Sequence, residues 1–182
     1  MRRLMFPLAA MAVAALFTTA LHAQKTTQLK VGGGGSPHVL SEWTIDGAHI
    51  SIEYGRPSLK GRTVGKEVAT YGEEWRTGAD EATTIKTDKA LMFGMLHVNP
   101  GTYTLYTLPS EKGWQLIVSK KTGQWGIPYP KGEDVGRVAM RMGAPPAPAE
   151  MVTISIEDTP AGGTLHIDWG TTRASAAFTV MK

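Results

Sequence analysis

Apolar and polar residues alternate over short stretches along most of the chain. Ala48, Ile50, Ile52 and Tyr54 fall on one side of an extended segment and His49, Ser51 and Glu53 on the other, the period-two pattern of a half-buried strand. The same pattern predicts strands over 102–108 (TYTLYTL), 114–119 (WQLIVS), 135–141 (VGRVAMR), 151–157 (MVTISIE), 164–169 (TLHIDW) and 173–180 (RASAAFTV). Residues 82–87 and 90–98 supply two weaker candidates. No convincing amphipathic helix interrupts them.

Turn chemistry punctuates the runs. Asn99-Pro100-Gly101 separates 90–98 from 102–108, and Pro109 to Gly113 reverses the chain before 114–119; both combine residues whose backbone preferences favour tight turns. Asp158 to Gly163 reads as the loop of a hairpin, and Ala144 to Ala149 (APPAPA) as an extended connector. Eight or nine short strands with turn signals at roughly ten-residue spacing predict an all-β fold, a single antiparallel β-sandwich of jelly-roll type with long loops. The predicted organisation is a signal peptide at 1–23, a flexible Gly-rich lead-in at 24–37 and one sandwich domain over 38–182.

The leader is predicted from three features in order. Arg2 and Arg3 give a positive start, Leu4 to Leu21 carry no charge, and Leu21-His22-Ala23 ends on a small residue. That is the layout of a secretory signal peptide, with an uncleaved anchor as the competing reading. It points to a periplasmic or secreted protein with no membrane span after cleavage. It also changes the charge: the whole chain has 19 Lys+Arg against 16 Asp+Glu. Removing Arg2 and Arg3 leaves 17 against 16, a formal +1. Nucleic-acid binding lacks its electrostatic footprint at that charge. The absence of cysteine excludes disulfides, thiolate metal sites and cysteine nucleophiles. The composition, 42% hydrophobic and 19% charged, is that of a globular chain.

Two segments break the alternation, Tyr54 to Thr83 and Lys120 to Asp134. Both mix aromatic, charged and glycine residues in long connections, which in compact domains often carry function. Their motifs, Ser36-Pro37-His38, Tyr54-Gly55-Arg56-Pro57 with Lys60-Gly61-Arg62, and Trp75-Arg76-Thr77-Gly78-Ala79 with Glu81-Ala82-Thr83, resemble the family known as domain of unknown function 2911. Gly101, Tyr103, Pro109, Trp114, Trp125-Gly126, and Asp134 with Arg137 fit the later part of the same pattern. The resemblance implies an exported bacterial protein and brings no agreed activity. The family usually carries Asn where this chain has Asp80.

Arg56, Arg62 and Arg76 lie close in sequence and are interleaved with Tyr54, Tyr71 and Trp75. Guanidinium forks beside aromatic faces suit carboxylate, phosphate or sugar ligands, and the same arginines can equally tie down loop carbonyls. The leading expectation is a module that binds a small molecule or glycan through the 54–83 and 120–134 loops. Arg56, Arg62, Trp75, Arg76, Asp80 and Glu81 are its candidate ligand-binding residues. A second reading is an extracytoplasmic hydrolase or metal-dependent enzyme using His38 with Asp80/Glu81. A third is a protein-interaction module of the cell envelope.

No motif implies a cofactor, and no pair of histidines has metal-ligand spacing; any metal site would be assembled from distant strands, with Glu53, Asp80 and Asp168 as possible carboxylate ligands. His49 and His166 fall on the polar side of their strands, where an exposed imidazole is ordinary. The readings differ in geometry. An enzyme should bring His38 within a few Å of a carboxylate or a second histidine. A binding module should show a concave, loop-lined pocket without convergent titratable groups.

Overall fold

The computed structural model describes residues 24–181; the predicted signal peptide lies outside them. The described residues contain no helix. They form twelve antiparallel strands: β1 (Lys25–Val31), β2 (Pro37–Ile45), β3 (Ala48–Gly55), β4 (Thr84–Thr87), β5 (Leu91–Phe93), β6 (Leu96–Val98), β7 (Gly101–Leu108), β8 (Trp114–Ser119), β9 (Asp134–Gly143), β10 (Ala149–Thr159), β11 (Gly162–Gly170) and β12 (Thr172–Val180). Ten of them make one continuous sheet in the order β1-β2-β3-β4-β7-β8-β9-β12-β11-β10, and the short β5–β6 hairpin hangs from β12.

The expected sandwich of eight or nine strands is therefore corrected to a single sheet curled into a half-barrel. Its two parts are fused by backbone pairing of β9 with β12, Arg141 opposite Ser175 and Gly143 opposite Arg173. Alternation alone does not separate these architectures, because both ask each strand to bury one face. The lead-in also differs from expectation. Lys25–Val31 is a strand paired with β2, and only the turn from Gly32 to Ser36 interrupts the two. The 90–98 candidate divides at Gly94, whose φ of 58° turns the chain, while Met95 stands fully exposed.

The concave face holds the core. Val39, Trp43, Ile45, Ile50, Ile52 and Ile85 point inward from one half, and Val152, Ile154, Leu165, Ile167 and Phe178 from the other; all are buried. Trp75 enters this core from the long 54–83 connection. It stacks on Trp169 with ring centroids 5.3 Å apart and meets the Trp114 ring edge-on at 6.2 Å, both favourable aromatic geometries.

The curl is closed by the residues that follow β3. Ser58 bridges to Met151, Leu59 N–H donates to Glu150 O (2.8 Å) and Val152 N–H donates to Pro57 O (3.1 Å). Arg56 reaches across as well, its Nε donating to Val152 O (2.9 Å) and its Nη2 to Thr153 Oγ1 (2.9 Å). Beneath them the buried Tyr54 hydroxyl accepts from Ile154 N–H at 2.9 Å and donates to Ile154 O at 3.4 Å. Burial raises the Tyr54 pKa, so the phenol stays neutral and can serve both partners.

On the convex side most of the sheet is solvated, with one exception. Tyr106 of β7 and Ile117 of β8 face outward as a cross-strand pair, yet both are fully buried. They form a second small core with Ala82, against which Leu108 and Tyr129 pack. The two long connections thus share an outer patch of the sheet.

Replacing Tyr54 by Phe keeps the ring and leaves Ile154 N–H buried without an acceptor. Urea denaturation should show a loss of about 1–3 kcal/mol. A change below ~0.5 kcal/mol would mean that the hydroxyl is not part of the closure.

Candidate functional site

Two loops meet over the outer face of β2, β3, β4 and β7. Ala82 N–H donates to Gln124 O (3.2 Å), and Arg76 Nη1 donates to Trp125 O (2.9 Å) with its guanidinium 5.1 Å from the Trp125 ring. Gln124 Nε2 donates to Thr104 Oγ1 (3.2 Å), Tyr106 OH (3.3 Å) and Lys121 O (3.1 Å). Its buried Oε1 has no partner. Farther along, Tyr129 OH donates to Asp134, and Arg137 donates to both Tyr129 OH (3.1 Å) and Asp134 (2.8 Å). These bonds hold the 120–134 segment against the sheet.

The first segment is held in an unusual backbone. Lys60, Ala69, Thr77 and Asp80 all have positive φ without being glycine, a conformation that costs energy for most side chains. Thr77 is fully buried, with its Oγ1 on Trp75 O (3.3 Å) and its carbonyl accepting from Thr83 Oγ1 (3.0 Å). Asp80, at φ 62°, has one of the two residue types that tolerate this region best. Asn is the other, so an Asp-to-Asn exchange at this position suits the same backbone.

That conformation delivers Asp80 to His38. Asp80 Oδ2 lies 2.9 Å from His38 Nε2, and Glu81 Oε2 lies 3.7 Å from His38 Nδ1. His38 sits at the start of β2 opposite Gly55 and is only 2% exposed. Gly32 and Gly55 make room for the pair. A Cβ on Gly32 would overlap the Asp80 carboxylate, and one on Gly55 would press on Ala79 O and His38. Glu81 is also held by Lys30, whose ammonium is 2.6 Å away. That hydrogen bond pulls the Glu81 pKa down and pushes the Lys30 pKa up.

Beside His38 opens a cleft of about 200 Å3. Glu53, Glu81, Ala82, Thr84, Gly123 and Gln124 line it together with His38 and Tyr54. Two depressions elsewhere are larger, about 240 Å3 beside Met92 and Phe178 and about 340 Å3 beside Leu108 and Trp114. Of the three, only the cleft at His38 combines an imidazole with carboxylates. Among the described residues no group of three or more His, Cys, Asp or Glu is arranged to hold a metal ion.

The structure sorts the sequence candidates. Asp80 and Glu81 converge on His38. Arg76 stands at the seam between the two loops; burial lowers its pKa while Asp80, Tyr106 and Glu81 act in the opposite direction. Arg56 spans the sheet closure, and Arg62 Nε and Nη2 donate to Leu59 O (2.9 Å) and Ser58 O (2.7 Å) of their own turn. Trp75 is a core ring, with its Nε1 donating to Gly78 O (3.2 Å). The three arginines do not form one anion-binding cluster.

His166 differs from its expected exposure. It is buried, with Nδ1 2.8 Å from Ser175 Oγ and Nε2 3.2 Å from Glu157 Oε2. Glu53, one of the possible carboxylate ligands in the sequence, lines the cleft. Lys30 and Gln124 are site residues that the sequence did not single out; only the folded β1 and the 120–134 connection bring them in.

These observations define an all-β protein with a small polar cleft where two long connections cross the outside of a curled sheet. The chain belongs to the family described as Protein of unknown function (DUF2911), whose model matches residues 36–178. No curated protein and no solved structure matches the chain.

Asp80→Asn should leave stability within about 1 kcal/mol, because Asn accepts the same φ and its Oδ1 can still face His38 Nε2. Asp80→Ala should cost about 2–4 kcal/mol, through the left-handed backbone and the unpaired imidazole. Equal losses in chemical denaturation would contradict this account.

A second expectation concerns alkali. Burial raises the Tyr106 pKa and, together with Asp134, that of Tyr129. Each phenol contributes full stability below its unfolded value of ~10, and that contribution falls as pH rises above it. Phenolate absorbance should therefore lag above pH 10, then rise together with unfolding.

Proposed function

We propose that this protein is exported and binds a compact, hydroxyl-rich molecule, a single sugar ring or the end of a glycan, in the cleft beside His38. The observation that carries the reading is the meeting of the 54–83 and 120–134 connections over one polar pocket. Carboxylates of Glu53 and Glu81, the Thr84 hydroxyl and the Gln124 amide surround it, a set rich in acceptors for ligand hydroxyls. Its size is below the roughly 300–1,000 Å3 of pockets that hold drug-sized ligands, which suits one ring. The acidic lining disfavours an anion, and the arginines that would have met one are engaged with the chain's own carbonyls. Export is supported by the three-part N-terminal pattern.

A second reading, hydrolysis of such a ligand, is favoured by the 2.9 Å contact of Asp80 with His38, the geometry expected of an enzyme. The convergence of Asp80 and Glu81 on His38 departs from the pocket free of convergent titratable groups expected of a pure binding module. A carboxylate on one imidazole nitrogen orients the ring and supports a proton gained on the other. Glu81 stands at that other nitrogen and also lines the cleft.

A thermal-shift screen of the purified protein against monosaccharides, oligosaccharides, organic acids and amines tests both. A sugar should raise the melting temperature of the wild type and of Arg62→Ala, and fail to do so for the folded variant Glu81→Gln. Stabilisation by organic acids alone, or by no compound at millimolar concentration, would overturn the binding reading. Release of product from that sugar by wild type and not by Asp80→Ala would establish hydrolysis.

A further inference from the structure

β1 is attached to the sheet without being part of its core. Every residue from Lys25 to Val31 is exposed, so the strand buries no side chain. It is held by its ladder to β2 and by polar contacts that are exposed or partly buried. Thr26 Oγ1 lies 3.0 Å from Ser41 Oγ, Lys25 Nζ lies 3.7 Å from Glu42, and Lys30 Nζ lies 2.6 Å from Glu81. Ion pairs in water contribute little each.

The turn that follows, Gly32 to Gly35, is closed by Gly35 N–H to Gly32 O and Gly32 N–H to Ser36 O, both 2.9 Å. Among the described residues nothing lies within 4 Å of a Cβ built on Gly33, Gly34 or Gly35, and a glycine run is a flexible linker. Yet Gly32 lies directly on the Asp80 carboxylate and the His38 imidazole. The ladder also slips by one residue at Leu29, a bulge of the kind that re-aims a side chain; beyond it, Lys30 reaches Glu81. The part of the chain matched by the family model begins at Ser36, just after this turn.

We propose that β1 and the tetraglycine turn form a displaceable cover over the His38–Asp80 pair. The cover swings on Gly33–Gly35, is latched by Lys30 on Glu81, and opens while the half-barrel stays folded. A strand with no apolar burial has a low opening free energy, whereas His38 belongs to β2, whose inward side chains sit in the core. The closed state leaves His38 only 2% exposed, and the open state bares the imidazole to water. This inference concerns access to His38 and does not depend on what the cleft binds.

The test reads His38 directly. Diethyl pyrocarbonate carbethoxylates accessible imidazoles, and peptide mass spectrometry reports each histidine separately. Thr27 and Leu40 are cross-strand partners, and the chain has no cysteine of its own. A Thr27→Cys/Leu40→Cys pair therefore gives one disulfide that locks the cover, at a separation antiparallel partners can bridge. Thiol titration confirms its formation.

Oxidation should slow modification of His38 at least ~10-fold relative to the reduced form, leaving the exposed His49 and His97 unchanged. Gly32→Ala should act oppositely. Its backbone φ permits alanine, its Cβ overlaps Asp80, and His38 should react several-fold faster in the folded variant, read well below its melting transition. Equal His38 rates in locked and reduced protein would overturn the proposal, as would a folded Gly32→Ala variant that reacts no faster.

Discussion

The half-barrel keeps its curvature because the chain just after β3 pairs with the beginning of β10. A twisted antiparallel sheet of this length has two distant ends, and nothing in the strand ladder requires them to meet. The Pro57–Leu59 backbone, the Arg56 guanidinium and the Tyr54 hydroxyl bring them together through six hydrogen bonds with β10. Arg56 shows why this matters for function. A residue whose planar fork suits a ligand is used instead to bind two acceptors on another strand. The same closure brings Trp169 to Trp75, so the long 54–83 connection is anchored in the core before it turns outward.

From that anchor the connection emerges onto the opposite face of the sheet. Trp75 is inside, Thr77 is buried in a left-handed backbone, and Asp80 arrives at His38 with the same handedness. The strain is local and is offset by what surrounds it: the stacked indoles on one side and the Tyr106–Ile117 patch on the other. The cleft therefore rests on rigid supports, although it is built from loops. Its ionisable groups are held by one another, with Asp80 on His38 and Lys30 on Glu81.

Much of this was legible in the chain. The alternation at 48–54, 151–157 and 173–180 marks strands that have one wet face, and those strands are where it says. β2 was hidden because its inward row contains Ser41 among Val39, Trp43 and Ile45, while Leu40 lies on the outer row. β1 was hidden because it buries nothing, so selection for a core leaves no pattern in it; glycines beside it read as a linker. Leu116-Ile117-Val118 carried a signal of a different kind. Three consecutive apolar residues in a strand require cover on both faces, and the 120–134 connection supplies the outer cover. The sites were legible as segments and not as contacts. His38 and Asp80 are 42 positions apart, and no spacing rule joins them; their meeting depends on a register and on one left-handed residue.

β1 has another consequence, for the sheet as a surface. It is the terminal strand of the order, and no other described strand pairs with its outer edge, an arrangement that invites pairing with other chains. Lys25 and Lys30 near its two ends, together with the bulge at Leu29, are features that discourage such pairing. Beneath it lies β2, longer and bearing Trp43 and Ile45. A chain lacking β1 would present that richer edge to its neighbours, so β1 covers an edge more open to pairing than its own.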